Sequence, residues 1–262
     1  MTAGLQISLQ TFTIRRFLKD TRKLTHTLNK VKSLGISRLE LARVPFKEPY
    51  IKLIAEACTS AGVAVGSTQM KLKHIEQDRD WTVKMHSQLN CPYCVISVVA
   101  FTALKKGAPG IKVYAERLNN LGRYLKKRGV TLLFHHHNYE FVPIGDSDGF
   151  SLLKEYLDPE AVGFVFDTYW LQRIGCSPAD FIREHRGLVH GVHLRDFTLQ
   201  GPLLNPRIRD TELGRGNLNF PDILAACREV GVSYAAIEQD SSDPWRSLAV
   251  STAYLRSIGV TI

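Results

Sequence analysis

The chain has 262 residues, of which 44% are hydrophobic and 23% charged, with a formal net charge of +9. This composition is typical of a globular protein, and no apolar run approaches the roughly 20 residues of a membrane helix, so a membrane protein is not expected. The first residues, Met1 to Gln6, lack a basic region followed by an apolar stretch, so no secretory signal is expected either.

The positive charge is spread along the chain, and several basic clusters fall on predicted outer helices. A basic surface can bind nucleic acid, but that usually requires a basic tract interleaved with aromatic residues, which is absent. A solvated basic surface is therefore favoured, and a nucleic-acid partner is disfavoured. The basic residues concerned are Arg15, Arg16, Lys105, Lys106, Lys126, Lys127, Arg128, Arg207 and Arg209.

The five cysteines, an odd number, are scattered along the chain, which suits reduced thiols in a cytoplasm. Cys91 and Cys94 have the spacing of a redox pair. They precede an apolar run instead of opening a helix, so a structural role is favoured over a redox role.

In chain order, apolar stretches typical of strands alternate with patterns of helical period. Strands are predicted at Leu5 to Phe12, Ser37 to Leu41, Val63 to Ser67, Tyr93 to Val99, Val130 to Phe134, Val162 to Asp167, Leu188 to Leu194 and Tyr234 to Glu238. Helices are predicted at Phe17 to Lys32, Pro49 to Ala61, Asp78 to Leu89, Val113 to Lys127, Ser151 to Tyr156, Pro178 to His185, Pro221 to Val230 and Trp245 to Ile258.

Eight such alternations within about 260 residues predict an α/β fold, a single (β/α)8 TIM barrel that spans residues 1–262 as one domain. A doubly wound open sheet is the alternative, but the first turn after the first strand lacks a glycine-rich phosphate loop. No linker or low-complexity run indicates a second domain.

The fifth predicted strand opens into His135, His136, His137, Asn138, Tyr139 and Glu140. Side chains alternate along a strand, so His135 and His137 should share one face, and His136 should take the other. Polar groups at the end of a buried strand are typical of a barrel active site. The alternative is that these are half-exposed loop histidines.

Strand ends meet at one mouth of a barrel, however distant they are in sequence. The polar groups at these ends are Gln10, Glu40, the stretch from His135 to Glu140, Asp167, His193 and Glu238. Crowded carboxylates need a cation, so the set suits a divalent ion such as Mn²⁺, Mg²⁺, Co²⁺ or Zn²⁺. Asp167 could instead cap a helix, although the next predicted helix starts some ten residues later, and His193 could be a core histidine.

In its motifs the chain resembles the sugar phosphate isomerase/epimerase superfamily, the xylose isomerase-like barrels that include inosose dehydratase. The motifs are Leu9 to Arg15, His135 to Phe141, Phe166 to Trp170, Val192 to Phe197, Leu213 to Phe220 and Ile237 to Asp240. The resemblance implies one metal ion held by Glu140, Asp167, His193 and Glu238, with Glu140 and Glu238 as acid–base groups. Some relatives take the first ligand from within the strand, where His135 or His137 stands here.

Three positions depart from the family pattern: His136 replaces an asparagine, Arg195 a lysine, and Arg215 a glutamate. Arginine presents a bidentate fork, so both arginines could favour an anionic or differently shaped substrate, or they could accompany a drifted or lost activity. The expected substrate contacts are Gln10, Glu40, His135, His137, Trp170, Arg195 and Arg215.

The resulting hypothesis is a metal-dependent isomerase or epimerase of a sugar, ketose or cyclitol that works by proton transfer through an enediolate. A lyase or dehydratase is the nearest alternative. An apurinic endonuclease would need more metal ligands than the strand ends supply, and a non-catalytic sugar-binding barrel would not turn over its ligand. The resemblance is compatible with a homo-oligomer.

Overall fold

A computed structural model describes residues 4–262, so Met1 to Ala3, on which the expectation about a secretory signal partly rests, lie outside the described residues. Eight parallel strands close into a barrel in the order β1-β8-β7-β6-β5-β4-β3-β2. These strands are β1 (Gln6–Gln10), β2 (Arg38–Leu41), β3 (Ala64–Met70), β4 (Tyr93–Ser97), β5 (Thr131–His135), β6 (Val162–Asp167), β7 (Val189–Leu194) and β8 (Tyr234–Ile237). The predicted TIM barrel is confirmed.

Helices lie between successive strands and cover the outside of the barrel. They are Leu24–Ser33, Tyr50–Ala61, Leu72–Gln77, Arg79–Gln88, Phe101–Lys105, Gly107–Lys126, Gly149–Tyr156, Thr168–Arg173, Pro178–Glu184, Phe220–Val230 and Pro244–Ser257. Among the described residues, none of these helices combines the length and the apolar character that crossing a bilayer would require.

The structure differs from the sequence-based prediction where short helices occur. The helix predicted from Phe17 begins only at Leu24, after two 3-10 turns at Arg15–Leu18 and Thr21–Lys23. The Asp20 side chain accepts a hydrogen bond from the backbone N–H of Arg22, which stabilises a separate turn. The helices Leu72–Gln77 and Thr168–Arg173 were not predicted, because six residues are too few to show a helical period.

The floor of the barrel is closed by an interior layer that includes Val95, Leu133, Val165 and Tyr234. A Cβ added to Gly191 would lie 2.4 Å from the Tyr234 ring, so the glycine makes room for that ring. The Tyr234 hydroxyl then donates to Glu40 Oε2 at 3.0 Å. A small residue in β7 thus allows a large one in β8 to support a buried carboxylate.

An antiparallel hairpin, Asp196–Gln200 with Arg207–Thr211, follows β7 and was not predicted. Asp196 anchors its base, because its two carboxylate oxygens accept from the backbone N–H groups of Phe197, Gly214, Gly216, Asn217 and Leu218. The hairpin matters for the site because it places Asp210 beside Arg195.

All five cysteines are free. Cys91 and Cys94 are both buried, and burial raises the pKa of the Cys94 thiol to about 12. A thiol with so high a pKa is a poor nucleophile, which agrees with the structural role favoured for this pair.

Candidate metal centre

Three neighbouring strands carry His135, Asp167 and His193 at or next to their carboxyl ends: His135 ends β5, Asp167 ends β6, and His193 is the last residue but one of β7. Asp167 Oδ2 lies 3.5 Å from His135 Nε2 and 4.0 Å from His193 Nδ1. One donor atom from each side chain lies within 4.8 Å of the other two, and all three residues are buried. This spacing allows the three side chains to contact a single ion.

The donor atoms of this group lack the partners that buried polar atoms normally have. His135 Nδ1, His135 Nε2 and Asp167 Oδ2 are buried without a hydrogen bond. Such orphaned atoms are costly unless something else binds them. Imidazole nitrogens with a carboxylate oxygen suit Zn²⁺, Mn²⁺ and related divalent ions, so the residues fit the ion that the sequence predicts.

The two carboxylate oxygens of Asp167 have different roles. Oδ1 caps the helix Thr168–Arg173 by accepting from the N–H groups of Tyr169 at 2.9 Å and Trp170 at 3.2 Å, which leaves Oδ2 for the metal group. The premise that no helix follows for ten residues is therefore wrong, and cap and candidate ligand coexist. Burial raises the pKa of this carboxyl group.

His193 lies between two glutamates. Its Nε2 is 2.8 Å from Glu40 Oε1, and its Nδ1 is 3.0 Å from Glu238 Oε2. Burial disfavours the charged imidazole, but the two carboxylates outweigh it and hold the pKa of His193 well above its ordinary value. The Glu40 contact at Nε2 is of the kind that orients a metal-binding histidine, and an ion at Nδ1 would take the place of the proton that this nitrogen shares with Glu238.

Glu40, expected to contact substrate, is fully buried beneath His193. Its Oε2 accepts from the hydroxyls of Ser67 at 2.8 Å and Tyr234 at 3.0 Å. With Oε1 beside the imidazole, the carboxylate is enclosed on both sides. The structure therefore places Glu40 where it can orient His193, below the surface that a substrate would reach.

Glu238 stands at the mouth, where β8 ends. Its Oε2 accepts from Gln10 Nε2 at 3.1 Å, and its Oε1 accepts from Arg195 Nη1 at 3.3 Å. Burial opposes ionisation, but His193 and Arg195 outweigh it and keep the pKa of Glu238 well below its ordinary value. The carboxylate is therefore anionic and able to accept a proton.

Arg195 is occupied by carboxylates of the chain itself. Its guanidinium donates twice to Asp210 Oδ2, at 2.9 and 3.2 Å, and once to Glu238. It also lies over the rings of Tyr169 and Trp170, with its central carbon 4.5 and 5.6 Å from their centroids. These contacts hold Arg195 at the edge of the barrel mouth. Its guanidinium already donates hydrogen bonds to two carboxylates of the chain.

Glu140 is buried but does not join the metal group. Its Oε1 accepts from the N–H of Val99 and its Oε2 from the N–H of His137, both at 2.8 Å. Both oxygens are thus used in tying the end of β4 to the loop after β5, and burial raises the pKa of the carboxyl group. This placement does not fit the roles of metal ligand and acid–base group predicted for Glu140.

The other two histidines of the triplet differ in surroundings. His136 packs among aromatic rings, its Nε2 accepts from the backbone N–H of Asp167 at 3.2 Å, and burial lowers its pKa to about 4. His137 is half-buried, and its ring centroid lies 4.7 Å from that of His135 and 5.3 Å from that of Trp170. His135 and His137 therefore lie together, as alternation predicts, while His136 is a core residue.

The remaining predicted site residues separate into two groups. Gln10 donates a hydrogen bond to Glu238 and Trp170 lies under Arg195, so both border the mouth, whereas the Arg215 side chain is exposed. Two further residues near the site were not predicted from the sequence: Asp210, which contacts Arg195, and Gln69, which contacts Gln10. Asp210 lies in an exposed hairpin strand without a clear alternation of apolar and polar residues, so the sequence does not indicate that Asp210 would contact Arg195.

Comparison with known proteins supports the same fold. A family model described as "Xylose isomerase-like TIM barrel" matches residues 28–257. Inosose dehydratase of Clostridium beijerinckii is 31% identical over 86 residues, which are 33% of this chain and 28% of that protein. The match thus spans under a third of the relative's length.

Two solved structures align with nearly the whole chain. A sugar phosphate isomerase/epimerase from Parabacteroides distasonis has a TM-score of 0.84 at 19% identity and covers 99% of this chain and 100% of its own. A xylose isomerase-like TIM barrel protein from Mycobacterium smegmatis, in complex with magnesium, has a TM-score of 0.70 at 16% identity, over 98% and 96% of the two chains. At these identities the likeness is one of fold.

Proposed function

Since this chain belongs to the xylose isomerase-like TIM barrel family, we propose that it is a divalent-metal-dependent enzyme that transfers a proton on a sugar, ketose or cyclitol. The observation that carries the proposal is the buried group of His135, Asp167 and His193, in which His135 Nε2 and Asp167 Oδ2 have no hydrogen-bond partner and His193 Nδ1 lies 3.0 Å from the anionic Glu238. We propose these three side chains as metal ligands, with Glu238 as a further ligand or as the proton acceptor.

The ion would act as a Lewis acid that polarises the substrate carbonyl and offsets negative charge. Glu238 is placed to remove the proton from the neighbouring carbon, because its side chain lies at the mouth beside the metal group and its carboxylate is ionised. Loss of that proton leaves an enediolate. Return of a proton to the adjacent carbon gives isomerisation, and return to the opposite face gives epimerisation.

Return of the proton to the opposite face requires a second proton carrier, and His137 is the candidate. Burial lowers its pKa, so the imidazole is neutral near pH 7, and its Nδ1 has no hydrogen-bond partner. Glu140 is assigned a positioning role instead, since both of its oxygens accept from backbone N–H groups. Arg195 would hold Glu238 in place from the other side of the carboxylate.

Dehydration is the second candidate reaction. It shares the first proton removal and then expels a hydroxyl group, and the partial match to inosose dehydratase favours it. The two classes differ in their products, so one assay can separate them.

The test begins with elemental analysis and Mn²⁺ titration of chelator-treated protein. The metal-loaded protein is then incubated in D₂O with a panel of ketoses and inososes, and deuterium at the carbon beside the carbonyl is followed by NMR. Exchange without loss of water would support an isomerase or epimerase, and exchange with an unsaturated product would support a dehydratase.

We expect Glu238→Gln to slow the exchange by at least about a hundredfold, which is the usual contribution of a positioned acid or base. Its matched control is Glu229→Gln, because Glu229 is an exposed glutamate paired with Arg183 on the outer helices. Absence of bound metal in the parent protein, or equal exchange in the two variants, would overturn the proposal.

A further inference from the structure

A second cavity opens at the other end of the barrel, where the strands begin. It has a volume of about 420 Å³, which is within the range of small-molecule sites. Its lining includes Gln6, Arg38, Gly66, Tyr93, Ser233 and Tyr234. Four of these are the first residues of β1, β2, β4 and β8, whereas the candidate metal ligands lie at or next to the carboxyl ends of strands. The cavity is therefore distinct from the mouth that holds the metal group.

Arg38 brings an unpaired positive charge to this cavity. Its side chain is half-buried, and within residues 4–262 it forms no ion pair, in contrast to Arg195 with its two carboxylates. No aspartate or glutamate of the same residues lines the cavity. A guanidinium that is partly removed from water is normally paired, so the cavity favours an anionic ligand.

Glu40 is the carboxylate that could have neutralised Arg38, because it lies two residues further along β2 and so on the same side of the strand. Both of its oxygens are already engaged. Oε1 lies 2.8 Å from His193 Nε2, and Oε2 accepts from the hydroxyls of Ser67 and Tyr234. A counter-ion for Arg38 is therefore expected from outside the chain.

The side chains around the cavity are held in place. A Cβ added to Gly66 would lie 2.8 Å from Arg38 Cδ and 3.0 Å from Arg38 Cγ, so this glycine of β3 makes room for the stem of the arginine. The half-buried Tyr93 ring stacks against Tyr234 with the centroids 5.7 Å apart, and its hydroxyl donates to Ser233 Oγ at 3.3 Å. The wall thus combines one fixed cation with a flat aromatic surface.

We propose that this cavity binds a small monocarboxylate that carries a flat apolar group. The planar guanidinium of Arg38 matches the two oxygens of a carboxylate, and charge-assisted bonds of this geometry are the strong ones. The Tyr93 ring offers apolar contact to a flat carbon skeleton. A dianion such as phosphate is disfavoured, because Arg38 is the one lysine or arginine among the described residues that line the cavity.

Arg38 also borders a neighbouring cavity of about 460 Å³, in which Arg128 is a second cation. Arg128 is exposed, and its guanidinium carbon lies 3.8 Å from the centroid of the Tyr124 ring. The two arginines thus lie at the same end of the barrel, but only Arg38 lines the cavity beside Tyr93. Arg128→Gln is therefore the matched control for Arg38→Gln.

The first experiment measures binding of benzoate, benzamide, acetate and phosphate to chelator-treated protein by calorimetry at constant ionic strength. Benzamide has the shape of benzoate without its charge, so we expect it to bind at least about tenfold more weakly. Acetate lacks the ring and should also bind more weakly than benzoate. Arg38→Gln should weaken benzoate binding by about tenfold or more, and Arg128→Gln should bind benzoate like the parent.

Four results of this experiment would overturn the proposal. Two of them need no variant: absence of benzoate binding in the parent, and equal affinity for benzoate and benzamide. Equal losses in Arg38→Gln and Arg128→Gln would place the anion in the neighbouring cavity or in the general field of the basic surface. Phosphate or acetate that binds as tightly as benzoate would contradict a site for a flat monocarboxylate.

The second experiment separates this cavity from the candidate metal centre. Benzoate binding is measured with Mn²⁺ present and, in chelator, with Asp167→Asn. We expect the affinity of the metal-free parent in both cases, because Tyr234 and Glu40 lie between the cavity and His193. Benzoate binding that required Mn²⁺, or that was lost in Asp167→Asn, would place the ligand at the mouth and refute the proposal. Neither measurement involves turnover, so the result is independent of the proposed reaction.

Discussion

Replacement of Asp167 separates its two structural roles, because each of its oxygens has different partners. In Asp167→Asn the amide oxygen can still accept from the N–H groups of Tyr169 and Trp170, whereas the oxygen that faces His135 becomes an NH₂ group. Asp167→Ala removes both functions. We therefore expect both variants to lose metal binding and only the alanine variant to lose the helix cap.

The magnitudes follow from these contacts. Two hydrogen bonds worth about 1 kcal/mol each should make metal-free Asp167→Ala about 2 kcal/mol less stable than Asp167→Asn. Because burial raises the pKa of Asp167, the folded state keeps a proton that the unfolded state releases, and stability falls as pH rises through that interval. The uncharged Asp167→Asn should therefore be at least as stable as the metal-free parent at pH 7.

Urea unfolding followed by far-UV circular dichroism measures these differences, first in chelator and then with Mn²⁺. A metal concentration of 100 times Kd should stabilise the parent by about 2.7 kcal/mol and neither variant appreciably. Stabilisation of Asp167→Asn equal to that of the parent would refute the assignment of Asp167 as a ligand. Equal stability of the two metal-free variants would refute the separate role of the cap.

Two further predictions concern residues around the metal group. Glu140→Ala should reduce the free energy of unfolding by about 2–4 kcal/mol, because the backbone N–H groups of Val99 and His137 lose a charged acceptor, and urea unfolding beside the exposed control Glu155→Ala would measure it. A loss no larger than that of the control would contradict the positioning role. His136 has a pKa lowered by burial to about 4, so the unfolded state takes up its proton first and stability should fall as pH drops from about 6.5 toward 4. His136→Phe should flatten this dependence of the urea midpoint, and an unchanged slope would show that another group is responsible.

The barrel could be predicted from the sequence because each buried strand is an apolar run, and the helices between strands have a clear period. Because the strand ends of a barrel meet at one mouth, Asp167, His193 and Glu238 could also be predicted to lie close together there. Glu140 shows the limit of this reasoning, since its sequence position places it at the mouth but cannot reveal that backbone N–H groups take both of its oxygens. Glu40 likewise lies next to the end of a strand, but its side chain is fully buried and accepts hydrogen bonds from Ser67 and Tyr234.

The hairpin after β7 could not be predicted for a different reason. Asp196 holds the hairpin through backbone N–H groups up to 22 residues away, and such contacts leave no periodic trace in the sequence. The left-handed backbone conformations of Arg43 and Val98 were also unpredictable, because neither residue is of a type that normally indicates that conformation.

The double use of Asp167 also has a consequence for divergence within such barrels. A descendant that abandoned catalysis would have no need of the oxygen that faces His135, but the helix Thr168–Arg173 would still need its cap. Asparagine, serine or threonine would satisfy that remaining demand. In a barrel that has lost its activity, Asp167 would then be replaced by another helix-capping residue, and the fold would be unchanged.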